Sequence, residues 1–426
     1  MIDPLRKIWQ RSGDFIRRQT LNFKIMLLRR CLHGLALNLS AQYNSIYAVA
    51  LGANPVQLGS LLSAGNAIGA LISVPSGWLI DRYSLKRVFL AGTALLLLSA
   101  LCYALAPDWR LLYAGIVFLY TGVRITCTSC TVIGARELIS GERATARGLC
   151  RTLSAMITLT TPVLAAWLVA RGGGINIQGM RPLYYIQLGI FGLIMIILVL
   201  FLREPEREGG GKARLALSEF AEIFRGRPAL IRMLAMLALM DIPWSMVQPY
   251  MPLFAHQFKG AEEVQLAGMA VTVSIASLLF AIPLGRMADR RGRKKLLFLI
   301  APVSYLSSFL LIRATGPMML FLAGLCFGFN SIATALAAAM ASEMVPKEQM
   351  GRWIGLIGLI RGLVSIPSPL VAGLIWEHIG PQNVFIFAVL LDAAVRLPLL
   401  ASIGETLRLG GTKRKGKDFT GRNSER

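Results

Sequence analysis

Acidic residues, histidine and cysteine are scarce in this chain. Only 16% of its 426 residues are charged, and among them 22 Asp and Glu face 45 Lys and Arg. A water-soluble chain of this length would carry about a quarter charged residues over two or three domains. This one has too few to cover such surfaces. The three histidines, His33, His256 and His378, lie far apart, and no nucleophile stands near a base at a recognisable spacing. Enzymatic chemistry is therefore not expected. The six cysteines, Cys31, Cys102, Cys127, Cys130, Cys150 and Cys326, all fall inside apolar runs, which argues against an extracytoplasmic disulfide framework. Cys127 and Cys130 form a CxxC, but on a membrane helix that spacing reads as two small packing residues. Neither a metal nor an organic cofactor is expected.

Apolar sequence takes up the space. Hydrophobic residues make up 55% of the chain, and the mean hydropathy is +0.59. Twelve apolar runs lie near 25–50, 56–80, 87–106, 109–137, 144–170, 182–202, 229–255, 264–286, 296–313, 316–343, 350–376 and 383–403. A helix of about 20 apolar residues crosses a hydrocarbon core of about 30 Å. The runs are continuous rather than alternating, which disfavours a β-barrel. The expected fold class is all-α integral membrane, with twelve transmembrane helices.

A net charge of +23 invites a nucleic-acid reading, so the position of the bases decides. With the N-terminus cytoplasmic, 37 of the 45 Lys and Arg fall on the cytoplasmic side, against five outside (Arg110, Arg171, Arg181, Lys259 and Arg313). The excess is a topology signal that places both termini in the cytoplasm and the protein in the plasma membrane. The expected partners are the lipid bilayer, a small-molecule substrate and protons, with no nucleic acid, and the chain is expected to act as a monomer. Residues 1–24 are basic and interrupted, so they read as a cytoplasmic segment rather than a cleavable signal; they would lie on the headgroups or be disordered.

The stretch "GRMADRRGRKK" at 285–295 has an echo 208 residues earlier, "GWLIDRYSLKR" at 77–87, with Gly77, Asp81 and Arg82 matching Gly285, Asp289 and Arg290. Pro75 matches Pro283, "VQLG" at 56–59 matches "VQLA" at 264–267, and Glu137 and Glu142 match Glu343 and Glu348 at an offset of 206. Such self-similarity divides the chain into two pseudo-symmetric six-helix bundles, 25–203 and 229–404. A connector, 204–228, contains Gly209, Gly210 and Gly211, and a basic tail occupies 405–426.

On these residues the chain resembles the major facilitator superfamily along nearly its whole length. The family's loop signature, Gly-x-Leu-x-Asp-Arg-x-Gly-Arg-Lys, is kept from Gly285 to Lys294 except that Met287 replaces Leu; in the first copy Ser84 and Leu85 replace Gly and Arg. The resemblance implies a transporter that rocks one half against the other. Gly77 and Gly285 would let helices approach closely, while Asp81, Arg82, Asp289, Arg290 and Arg293 belong to gating loops, in which Asp81 and Asp289 would accept from the exposed N–H groups of a neighbouring helix and pair with Arg. Arg291, Lys294 and Lys295 read as charge anchors.

In the resembled family the first, fourth, seventh and tenth crossings line a central cavity. The middles of those spans hold Asn38, Arg124, Asp241 and Asn330, polar groups that are costly at mid-bilayer unless they face protein or water. Helical spacing adds Gln42, Thr128, Trp244 and Gln248 to the candidate substrate contacts. Arg124 would hold an anionic group or lock to Asp241 across the empty cavity, and Asp241 is the proton-coupling candidate; a purely structural Arg124–Asp241 pair is the alternative. Trp244 would stack on a flat or cationic substrate or simply pack. With Asp241 it would suit a cationic, drug-like solute, where Arg124 favours an anionic or zwitterionic one. Arg361 would reach the cavity or a gate, whereas Asp392 and Arg396 read as an i,i+4 pair on a peripheral crossing. "TTPVLAA" at 160–166 only loosely resembles the antiporter motif of the family. The expected function is proton-coupled secondary transport of a small organic solute, either as an efflux antiporter or as an organic-anion uptake symporter. The other class in play is a non-transporting receptor or scaffold on the same fold.

Overall fold

The computed structural model describes residues 18–137, 143–204, 228–345 and 349–405. Every regular element among these is helical. Eleven helical stretches are long and apolar enough to cross a membrane. The first position in the chain is filled by Leu21–Ala41 and, after a break at Gln42 and Tyr43, Asn44–Ala50. Lys24, Arg29 and Arg30 make its first half less apolar than the others. Crossings 2 to 6 are Pro55–Arg82, Leu85–Leu105, Leu111–Glu137, Arg143–Arg171 and Ile177–Phe201. Crossings 7 to 10 are Pro228–Lys259, Glu263–Arg291, Arg293–Arg313 and Pro317–Glu343. Crossing 11 is broken into Met350–Val364 and Ser368–His378, where Pro367 and Pro369 cannot donate backbone hydrogen bonds. Crossing 12 runs Pro381–Leu391, widens into one π turn at Asp392–Arg396, and closes with Leu397–Ser402. Local chemistry sets the starts: Asn54 and Gln57 form a capping box before Pro55, and Pro317 and Pro381 occupy first turns.

The connections fall at two ends. One end carries residues 20, 204 and 405; the far end carries the short links such as 51–54, 106–110 and 260–262. At the far end a single apolar core holds both halves together, with Tyr47, Tyr103 and Tyr184 from the first and Tyr250, Phe254 and Trp376 from the second. At the terminal end the halves have separate cores: Ile25, Phe89 and Leu198 in one, Met233, Leu336 and Trp353 in the other. The molecule is thus joined at the far end and split at the terminal end.

Crossing 2 against crossing 11 makes much of the joint. Asn66 Nδ2 donates to the Ser365 carbonyl at 3.2 Å, and the Leu370 N–H donates to Ser63 Oγ at 3.2 Å. The Tyr250 hydroxyl lies 2.9 Å from the Pro55 carbonyl oxygen and 3.0 Å from that of Pro369, tying crossing 7 to both. Gly59 and Gly373 allow the approach. A Cβ at Gly59 would meet the Pro369 carbonyl, and one at Gly373 the Pro55 carbonyl, well inside contact distance.

At the terminal end the two repeat loops use one device twice. The Glu204 carboxylate accepts from the Leu85 N–H at 2.9 Å and from the Ser84 hydroxyl, capping crossing 3. Glu405 accepts from the N–H groups of Arg293 and Lys294, both at 3.1 Å, capping crossing 9. The residue just past each sixth crossing thus neutralises orphan donors at the start of its own third. Glu405→Ala is expected to lower the melting temperature of the detergent-purified protein, at a cost of about 1 kcal/mol; an unchanged melt would deny the cap any energetic weight.

Two expectations for these loops are corrected. A Cβ at Gly285 would meet nothing within 4 Å, so no close approach depends on it. The glycine that the turn needs is Gly292, at φ 101°, where a side chain would also collide with Glu405. Asp289 does not cap a neighbouring helix; its carboxylate, 63% exposed, pairs within the same loop with Arg293 at 3.3 Å, and Arg293 also reaches Glu343 at 2.9 Å. Arg82 and Arg290 are exposed, with the Arg82 guanidinium over the Trp78 ring. Gly77 lies within crossing 2, while most of the connector and the tail lie outside the described residues.

Candidate functional site

Between the halves lies a cavity of about 230 Å³. Crossing 1 gives it Asn38 and Gln42, and crossing 7 gives it Trp244 and Gln248, so four of the expected substrate contacts do meet. Gln42 sits at the break in crossing 1, which turns its side chain toward crossing 5, where its Nε2 donates to the Pro162 carbonyl at 3.3 Å. Its buried Oε1 has no hydrogen-bond partner among the described residues and is free to accept. Asn38 donates to the Gly34 carbonyl at 2.7 Å. Trp244 stacks on Phe327 with ring centroids 4.6 Å apart and planes 11° apart, while 37% of the residue stays exposed. It packs and also presents ring surface.

The charges are arranged differently from the expected lock across the cavity. Asp241 is held by Arg361, not Arg124: Arg361 Nε donates to Oδ2 and Nη2 to Oδ1, both at 2.6 Å. This bidentate geometry belongs to strong, orientation-fixing pairs. Crossing 7 packs beside crossing 11 within the same half, and that adjacency selects Arg361. Arg124, exposed on crossing 4, makes no hydrogen bond or ion pair among the described residues; its Nε would lie 3.6 Å from a Cβ at Gly69. Gly362, next to Arg361, would put a Cβ 3.1 Å from that of Ala70. Arg124 and the residue after Arg361 therefore approach crossing 2 at successive residues, Gly69 and Ala70. Thr128 is also away from the cavity, since its hydroxyl donates to the Arg124 carbonyl at 2.9 Å and lies 3.3 Å from the Ser76 hydroxyl.

Behind Trp244 and Phe327 is a smaller chamber of about 50 Å³. Asn330 and Thr334 line it, so Asn330 belongs here rather than to the central cavity, and the expected single ring of Asn38, Arg124, Asp241 and Asn330 is not present. Asp392 and Arg396 form the expected i,i+4 pair at 2.6 Å, but on a chamber wall rather than the periphery. They are 8% and 4% exposed, and the Tyr305 hydroxyl donates to Asp392 Oδ2 at 2.7 Å. Sequence spacing could not show that a π turn would hold both residues toward the bundle interior.

Comparison with known proteins adds an independent line. The sequence profile of the Major Facilitator Superfamily matches residues 27–271 and 238–402. Over 163 residues the chain is 28% identical to tetracycline resistance protein, class B, of Escherichia coli, a match covering 38% of this chain and 40% of that protein. It is 31% identical over 165 residues to the multi-drug resistance efflux pump PmrA of Streptococcus pneumoniae, covering 33% of this chain and 36% of the pump. The chain thus matches less than half the length of either relative. Among solved structures, the nucleoside transporter NupG superposes with a TM-score of 0.76 at 15% identity, over 90% of this chain and 100% of that one; this is a likeness of fold.

Proposed function

The chain belongs to the Major Facilitator Superfamily, and from that premise we propose that it is a proton-coupled carrier that exports small organic solutes by alternating access. With the termini in the cytoplasm, as the distribution of basic residues favours, the far end faces outward and the split end opens inward. A solute then enters between the separate terminal-end cores and meets Asn38, Gln42, Trp244 and Gln248. The likeness to PmrA supports export over import.

One observation carries the coupling: the Asp241–Arg361 pair lies one residue from an inter-half contact, Gly362 against Ala70. While Asp241 is ionised, both its oxygens hold the guanidinium and fix the first part of crossing 11. A protonated carboxyl cannot accept both bonds, so uptake of a proton loosens that part. The break at Ser365–Pro367 then lets it move relative to the second part, which holds the far-end joint. Proton binding is in this way linked to the contact that distinguishes the two gate states.

The test uses everted membrane vesicles with an imposed proton gradient and three labelled probes: ethidium, tetracycline and naphthoate. The unaltered chain is expected to concentrate at least one of them. Asp241→Asn is expected to abolish that uphill accumulation while leaving counterflow exchange measurable. Undiminished accumulation by Asp241→Asn would remove this residue from coupling.

A further inference from the structure

The lining of the central cavity contains no charged side chain, so an acidic solute finds no ionic partner in the place where the polar amides converge. Of the arginines set within the crossings, Arg29 is 3% exposed but lies against His33 at 3.2 Å and borders neither space. Arg361 already gives two donors to Asp241, and Arg124 borders neither the central cavity nor the chamber. Arg396 differs from all three. It is only 4% exposed and borders the chamber, and its Nε has no acceptor. Its Nη2 is paired with Asp392 at 2.6 Å. Meanwhile one Asp392 oxygen accepts from Tyr305. A guanidinium offers five N–H donors, and buried donors without acceptors are costly. The Arg396 Nε–H is thus a buried donor at the chamber wall without an acceptor, and a carboxylate would supply one.

Chamber and cavity meet at the Trp244–Phe327 stack, whose two residues border both spaces. At about 50 Å³ the chamber admits a carboxylate but not a ring, whereas the cavity of about 230 Å³ admits fused rings against the exposed part of Trp244. We propose that Arg396, behind Trp244, is the acid-binding end of the solute site, and that the preferred solute is a planar aromatic carboxylate, its ring at Trp244 and its carboxylate at Arg396. The proposal deepens the carrier reading by naming the substrate class, and it rests on that reading only for the step from ligand to substrate. The π turn serves the purpose by bringing Arg396 and Asp392 to the same wall.

The experiment is equilibrium binding to the full chain in detergent, which needs no gradient and no coupling, so its failure is separable from failure of the transport test. The probes are naphthoate and its neutral amide, naphthamide. Naphthoate is expected to bind about tenfold more tightly, the worth of a charge-assisted contact. Arg396→Gln is expected to erase that preference by weakening naphthoate alone. Because that variant leaves Asp392 without its partner, Asp392→Asn/Arg396→Gln is measured beside it and should show the same loss. Asp392→Asn by itself frees Arg396 and should strengthen naphthoate binding severalfold. Equal affinity for the two probes, no binding of either, or a preference that survives both Arg396 variants would overturn the proposal. So would loss of the preference in Arg124→Gln instead, since that would place the acid at Arg124.

Discussion

Arg361→Gln should lower stability by about 2–4 kcal/mol, and adding Asp241→Asn should restore most of the loss. Removing one member of a buried ion pair strands the other's charge, and in the apolar centre of a membrane bundle that charge has few alternatives. The side chains of Arg361 and Asp241 are 24% and 20% exposed, so the effect should sit below the 3–5 kcal/mol typical of fully buried pairs. In the double variant two neutral amides face each other and no charge is stranded. The measurement is thermal unfolding of the four proteins of the double-mutant cycle in detergent. If the double variant melts as low as Arg361→Gln, the two residues do not act as a unit and the coupling scheme loses its switch. Arg124→Gln is the contrast: with no partner to strand, it should cost little.

That contrast marks the boundary of what sequence could reveal. Asp241 was legible because an acid in the middle of an apolar run is expensive and needs a reason. Its partner was not, since helical spacing specifies which residues share a face but not which face meets which neighbour. On sequence alone Asp241 is paired with Arg124, and only the packing of crossing 7 beside crossing 11 gives it Arg361. The repeat was legible too, from "GRMADRRGRKK" and its echo, but the turn glycine was misassigned: Gly285 has open space around it, and Gly292 carries the positive φ. Nothing in the loop's composition separates two glycines seven residues apart.

The Asp392–Arg396 pair is a third kind of case. Its members, their spacing and their contact were all readable; their location was not. An α-helical reading leaves the pair on the outside of a peripheral crossing, where it would be an ordinary surface feature. The structure places both groups, at the two ends of one π turn, on an inner wall with Tyr305 and Asn330. Irregular turns of this kind have no compositional signature. Asn330 and Trp244 were expected together as substrate contacts of one cavity, yet the structure puts Asn330 on the chamber while Trp244, stacked on Phe327, borders both spaces.

Gly59→Val and Gly373→Val should each prevent the far end from closing, and with it the transport cycle. The added side chain at either position would meet a backbone carbonyl of the opposite half, Pro369 or Pro55, and a backbone atom in a packed helix cannot swing aside. The halves must separate by about the width of a methyl group. Separation breaks the Asn66–Ser365 and Ser63–Leu370 hydrogen bonds and the Tyr250–Pro55 contact. At about 1 kcal/mol for each of three ties the closed form loses about 3 kcal/mol, a population shift on the order of a hundredfold. The readout is labelling of Ser63→Cys, at a position 8% exposed in this form, by a membrane-impermeant maleimide added from the far side. Labelling should be slow in the otherwise unaltered chain and faster by at least tenfold when either valine is present, with accumulation of probe in vesicles falling in parallel. Gly285→Val is the decisive control, because the space around that glycine is open and both readouts should stay unchanged. Should Gly285→Val instead stop transport while Gly59→Val leaves it intact, the signature loop and not the far-end joint would be where the halves are locked.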